Sequence, residues 1–276
     1  MILRFFLSCC LTAGIGLLTA SAGAAAENKK SEASLNDLSM EVTALQTIGS
    51  FKMTAAQMRK LQKLAAETAE KPRKRTPAKA SAEYRQAVIA LRAALVDNVD
   101  DGQIDQLSEE LEELREADRP KLDDTAEITD AARRRAPEVL RLMSARQVAA
   151  YVALNAQEIH GPREVLTKAL DQARDLKAKE WKEFRDTVSD EVGRLVAGID
   201  EAKAEKIAIK VVVFLSKVRE LTADDFAKQR PTLEKEARQI AGGAHPTDVL
   251  KHDLEYALAE LLSNPRLAEV LKARLK

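Results

Sequence analysis

The chain has 276 residues, of which 45% are hydrophobic, 32% charged and only 4% aromatic, and its 44 Lys and Arg are matched by 44 Asp and Glu. Such a balance supplies no whole-molecule field to recruit nucleic acid, and the few aromatics are not interleaved with basic runs as a single-strand binder requires. Abundant Ala and Leu beside 10 Gly and 8 Pro is the profile of amphipathic helices, and no stretch alternates as a half-buried strand would.

The first residues set the expected compartment. Met1 to Arg4 is a short positive start, Phe5 to Ala20 is apolar, and small residues follow to Ala26. This is the pattern of a secretory signal peptide over 1–26, with A-x-A cleavage after Ala26 or after Ala24. The apolar run falls short of the roughly 18 residues of a membrane span. An extracytoplasmic protein, periplasmic or secreted, is therefore expected. Cys9 and Cys10 are the only cysteines, so cleavage leaves neither disulfide nor thiolate ligand.

Beyond a polar leader, Leu35, Leu38, Val42, Leu45 and Ile48 step along one helical stripe, and Gly49-Ser50 stops it. A second helix follows within a few residues, so the pair is expected to form an antiparallel hairpin. Lys71 to Lys79 carries five cations, no anion and two prolines, the composition of a linker. The expected organisation is thus a hairpin and basic linker over 27–80 and a main helical domain over 81–276.

Ser81 caps the next helix, and Ile104, Leu107, Leu111 and Leu114 form a heptad stripe on a strongly acidic one that ends before Pro120. An ion-pair contact between that helix and the basic linker is expected. Pro137 is placed to kink a helix or to begin one, and Pro162 to occupy a first helical position. Ile207 to Leu221 is the most apolar helix and is expected at the centre of the core, although Lys210 and Lys217 exclude a span. Thr247 caps a late helix with Leu250, Leu254, Leu258 and Leu261. The fold class is all-α, a bundle of about ten amphipathic helices.

One local pattern recurs. Thr54 with Gln57, Ser144 with Gln147, and Thr222 with Asp225 each pair a hydroxyl N-cap with an acceptor three residues on, a capping box. Apolar pairs bracket each as a hydrophobic staple: Met53 and Met58, Met143 and Val148, Leu221 and Phe226. Leu176 to Trp181 is a degraded copy, with Leu176 and Trp181 placed as the staple and Glu180 at N3 but Lys177 in place of the capping hydroxyl.

Chemistry-bearing constellations are scarce. Asp97 to Ser108 begins like a calcium loop but has Val99 at the third ligand position and Ser108 at the twelfth. Asp248 and His252, one turn apart, are the candidate metal ligands, two where structural zinc takes four. There is no G-x-S-x-G, no Gly-rich phosphate loop and no H-E-x-x-H. The pattern argues against an enzyme and implies no cofactor.

Met53-Thr54-Ala55-Ala56-Gln57 and Met143-Ser144-Ala145-Arg146-Gln147 resemble the L-T-x-x-Q motif of the periplasmic Spy and CpxP family, with Met in the place of the motif Leu. The resemblance implies a helical envelope-stress protein that holds unfolded clients or modulates a stress sensor without ATP. The functional expectation is an exported helical interaction protein, chaperone-like or stress-related, whose partner is a protein or unfolded client. An envelope scaffold that self-associates is the alternative, and a metal-dependent sensor or enzyme around Asp248 and His252 comes third.

Overall fold

The computed structural model describes residues 33–155, 160–242 and 246–276. The expected leader peptide lies outside those residues, as do Ile159, expected on the inward face of the helix that Ser144 opens, and Gly243, expected with Gly242 to stop a helix. Within them the chain is all-helical, with α1 (Leu35–Ser50), α2 (Ala55–Thr68), α3 (Ala82–Asp97), α4 (Asp101–Asp118), α5 (Asp130–Leu140), α6 (Ala145–Asn155), α7 (Pro162–Asp175), α8 (Ala178–Ala197), α9 (Glu201–Glu220), α10 (Ala223–Ile240), α11 (Pro246–Ser263) and α12 (Leu267–Arg274).

Local chemistry explains most helix starts. Ser34, Thr54, Ser81, Asp100, Thr129, Asp200 and Thr222 each accept the N3 backbone N–H of the helix that follows, which satisfies a donor the helix cannot. Asp100, part of the would-be calcium loop, serves as the cap of α4. Pro162 opens α7 at a position where a missing N–H costs nothing. Pro137 does not begin a helix: it lies inside α5, which runs past it to Leu140. Pro246 already begins α11, so Thr247 lies inside the first turn instead of capping it.

Two hydrophobic cores form. The first gathers α1, α2, α3, α5, α11 and α12 with Tyr151 of α6, around Leu45, Leu61, Leu91, Leu258 and Leu271. The second gathers α7 to α10 around Leu166, Val192, Leu215 and Leu233. α11 serves both, since Val249 belongs to the second core and Leu254 onward to the first. At that junction Arg194 of α8 donates to the buried Asp253 carboxylate, to which the Tyr151 hydroxyl also donates at 3.3 Å.

Further expectations are corrected. α1 and α2 do not pack as a hairpin; α1 lies on α3 and α2 on α12, α11 and α5. A short connection places helix ends together, but the apolar stripes find larger partners elsewhere. α9 is central to the second core only, packing on α8, α7 and α10 with Val211, Phe214, Leu215 and Val218 while leaving Ile209 and Val213 to solvent. Its apolar residues exceed what one buried face can take.

The basic segment after α2 is a pinned strap. Arg73 and Arg75 pair with Glu70 and with Asp123, in the loop after the acidic helix, and Asn36 of α1 donates to the Thr76 carbonyl at 2.7 Å. The expected partner, α4 itself, forms no ion pair with the strap among the described residues, and its last residue, Asp118, accepts the Ser81 N–H at 2.7 Å. Arg73 and Arg75 also donate to the Thr125 carbonyl. Guanidinium donors are best served where carboxylates and free carbonyls lie together, as they do in a loop and not on a helix wall.

Candidate functional site

The first two capping boxes meet. Gln57 and Gln147 are separated by 90 residues, yet Gln57 Nε2 donates to Gln147 Oε1 at 3.0 Å and Gln147 Nε2 donates to Gln57 Oε1 at 2.8 Å. Each amide also completes its own box, since Gln57 Oε1 accepts the Thr54 N–H at 2.8 Å and Gln147 Oε1 the Ser144 N–H at 3.0 Å. The second hydrogen of each amide crosses to the other motif's approach strand. Gln57 donates to the Leu142 carbonyl at 2.7 Å and Gln147 to the Lys52 carbonyl at 2.9 Å.

The arrangement has an approximate two-fold symmetry, with Lys52 and Leu142 both two residues before their caps. It also fixes the amide orientations, because an oxygen must face each cap N–H and a nitrogen each carbonyl. Both hydrogens and the oxygen of each side chain are occupied, so the pair forms a closed polar network of the kind that specifies one geometry.

Backbone strain helps to build it. After α1 the chain closes with Met53 N–H on Ile48 O at 3.2 Å and Lys52 N–H on Gly49 O at 2.8 Å, a Schellman turn. The left-handed position of that turn favours glycine, yet it is held by Lys52 at φ 47°. Its carbonyl then faces Gln147. Beneath the amide pair, the Phe51 and Tyr151 rings stack at 4.4 Å between centroids and 11° between planes, both buried. Met53 and Met58 are buried as a staple, while Met143 and Val148 are half-buried against the same core.

Above the pair lies an open hollow of about 520 Å³ lined by residues of both motifs: Lys52, Thr54, Gln57, Leu142, Ser144, Arg146, Gln147 and Ala150. Its floor is the amide pair and its polar rim carries two cations, Lys52 and Arg146. The N-termini of α2 and α6 both end here, adding partial positive charge. The site can receive a partially apolar chain segment bearing a hydrogen-bond acceptor or a carboxylate. It contains no nucleophile and base within reach of each other.

The remaining sequence candidates sit elsewhere. Thr222 and Asp225 form only half of the expected box: the Thr222 cap accepts the Asp225 N–H at 3.2 Å, but Asp225 Oδ2 takes the Thr222 hydroxyl at 2.7 Å and not the Thr222 N–H. Glu180 accepts the Lys177 N–H at 3.3 Å, the half-box its sequence allows. His252 is turned away from Asp248: its Nδ1 lies 3.1 Å from the Leu195 carbonyl and its ring packs on Gly198, whereas Asp248 is exposed. Among the described residues no three His, Cys, Asp or Glu side chains gather as a metal site.

Sequence reasoning named the two glutamines as caps and missed that each also reaches across to the other. It missed Lys52, Leu142 and Arg146 altogether. The one available signal was the apolar pair around each box, which said that both N-termini face a core. Comparisons with family models, curated proteins and solved structures returned no match.

Proposed function

We propose that the protein is an exported helical interaction protein, chaperone-like or stress-related and independent of ATP, and that a segment of its partner or client docks in the hollow above Gln57 and Gln147. The observation that carries this reading is the convergence of the two M-(S/T)-x-x-Q copies into one site across 90 residues. Helix capping needs no such meeting; a capping box is complete within its own four residues. The chain places a Lys against its backbone preference at the rim of the same site, a cost of roughly 1 kcal/mol that a glycine would avoid. The leader-like N-terminus and the resemblance of the motif to the Spy and CpxP family support the same reading.

The test uses the mature chain in suppression of aggregation of an unfolded client without nucleotide. Lys52→Gly relieves the left-handed residue and removes a rim cation, so it should weaken suppression several-fold while leaving the melting temperature unchanged or higher. A mature chain that neither suppresses aggregation nor retains an envelope protein removes the proposal, and so does full activity in a Lys52→Gly, Arg146→Ala double variant.

A further inference from the structure

α9 differs from the other helices in what it leaves to solvent. Ile209 and Val213, one turn apart on one face, are 56% and 64% exposed. A lone exposed aliphatic needs no explanation, but these two run beside a row of cations. At 100° per residue, Lys203, Lys206, Lys210 and Lys217 all fall on the same flank of the Ile209–Val213 stripe. Lys217 is held by Glu236 at 2.8 Å, whereas Lys203, Lys206 and Lys210 have no ion-pair partner among the described residues. Glu205 sits on the opposite flank, and Glu220 continues the stripe only at the far end of α9, so around Ile209 and Val213 the face is polarised: carboxylate on one side, aliphatics in the middle, ammonium groups on the other.

We propose that this face of α9 is a contact for an anionic lipid surface. The composition of the patch favours lipid over protein. Protein interfaces are depleted in Lys, and their anchoring residues are Trp, Tyr and Arg; this patch has three available Lys, two aliphatics and none of those anchors. Interfacial helices combine aliphatic insertion with Lys on the polar boundary, the long stems lying along the acyl region while the ammonium groups reach headgroup phosphates. Among the described residues no helix is long and apolar enough to cross a membrane, and two aliphatics make a shallow contact. Binding is therefore reversible and sensitive to salt. The net charge of zero means that attraction comes from this local row and not from the whole molecule.

The experiment is co-flotation of the whole mature chain with vesicles of phosphatidylglycerol and phosphatidylcholine, and with phosphatidylcholine alone. Binding to the anionic vesicles is expected at low salt, falling as salt rises. Neutralising Lys203, Lys206 and Lys210 to Gln should weaken it on the order of a hundredfold, from about 1 kcal/mol per cation near the surface. Ile209→Ser with Val213→Ser should weaken it as well, without lowering the melting temperature. Neutralising the equally exposed Lys71, Lys74 and Lys79 should leave it unchanged. Equal affinity for both vesicle types overturns the proposal, as does equal loss from the Lys71, Lys74 and Lys79 variant, or retention by the Ile209→Ser, Val213→Ser variant. Patch-dependent capture of an acidic polypeptide without vesicle binding overturns it in favour of protein docking.

Discussion

The two cores are built from similar apolar residues but are tied differently. In the first, the ties are buried and join residues far apart in sequence. Glu41 is buried between Arg92 and Arg266, which donates to it at 2.6 Å; Asn264 donates to the Met40 carbonyl at 2.8 Å; Thr68 donates to the Leu262 carbonyl at 2.8 Å; and the two glutamines close on each other. In the second, the ties lie at the surface: Arg230 on Asp171 at 2.7 Å, Lys217 on Glu236 at 2.8 Å, and Arg219 over the Trp181 ring at 4.7 Å. Apolar packing alone permits many near-equivalent arrangements, and buried polar pairs reject most of them. The first core is thus the more narrowly specified, and it is there that a site has been assembled.

The difference shows even in one chemical detail. Asp225 and the two glutamines stand three residues after their caps, but a carboxylate only accepts, whereas an amide accepts at its oxygen and donates twice at its nitrogen. Asp225, holding the Thr222 hydroxyl, has no donor to offer a neighbour, and the third copy stands alone. The first two boxes each retain two donors, and these become the cross-link.

The strongest challenge to the contrast is Glu41→Ala. Removing the carboxylate leaves two guanidinium groups facing each other between α1, α3 and α12, and about 3 kcal/mol of stability should be lost, the lower end for breaking a buried pair because both arginines keep some solvent. Urea unfolding measures it. A loss below about 1 kcal/mol would place this clamp with ordinary surface pairs and erase the distinction between the cores.

Next is Gln147→Glu. The cap is preserved, but the donors to Lys52 O and Gln57 Oε1 disappear and oxygen faces oxygen. About 2 kcal/mol should be lost, since acceptors are left unpaired. A double-mutant cycle with Gln57→Glu should show coupling of about 1 kcal/mol or more. Additive effects would mean two independent caps that happen to lie side by side.

In the second core, Asp171→Ala should cost less than about 1 kcal/mol, in keeping with an exposed pair, and its effect should shrink further at high salt. A cost as large as that of Glu41→Ala would show surface ties carrying as much as buried ones.

How much of this was legible follows from the range of each signal. Capping is local, so Thr54, Ser144 and Thr222 could be assigned from sequence, and all three open helices. The helical stripes of α1, α3 and α11 repeat along one element and were equally readable. What an element packs against is not local: α12 lies on α2 across about two hundred residues of chain, and no periodicity encodes that choice. The glutamine pair falls between these cases. Each half was visible, but their meeting depends on helix packing, and the cation at its rim sits in a turn conformation that residue type argues against. The helix that carries Ile209 and Val213 was expected at the centre of the core for a related reason, because apolarity says that a face seeks cover without saying what supplies it.

The smallest expected effect concerns the strap between α2 and α3, where the first region is tied by two carboxylates at its surface. Thr76 donates its backbone N–H to Asp123 at 2.9 Å, and that bond, against partial desolvation and with help from Arg73 and Arg75, holds the Asp123 carboxyl below the ordinary 3.8. Asp118 is lowered in the same way by hydrogen bonds from Ser81. A carboxyl with a folded pKa below its unfolded one stabilises the fold above the unfolded value, and that contribution is lost as pH falls through the folded one. Carboxyl-carbon NMR titration should therefore show both groups protonating below 3.8, with the Thr76 and Ser81 amide shifts moving in the same window. In Asp123→Asn the Thr76 shift should lose that step while Ser81 keeps its own. Midpoints at or above the free value would mean that the strap is held by its arginines' carbonyl contacts and not by these two carboxylates; the buried ties of the first core would then have no surface counterpart in this segment.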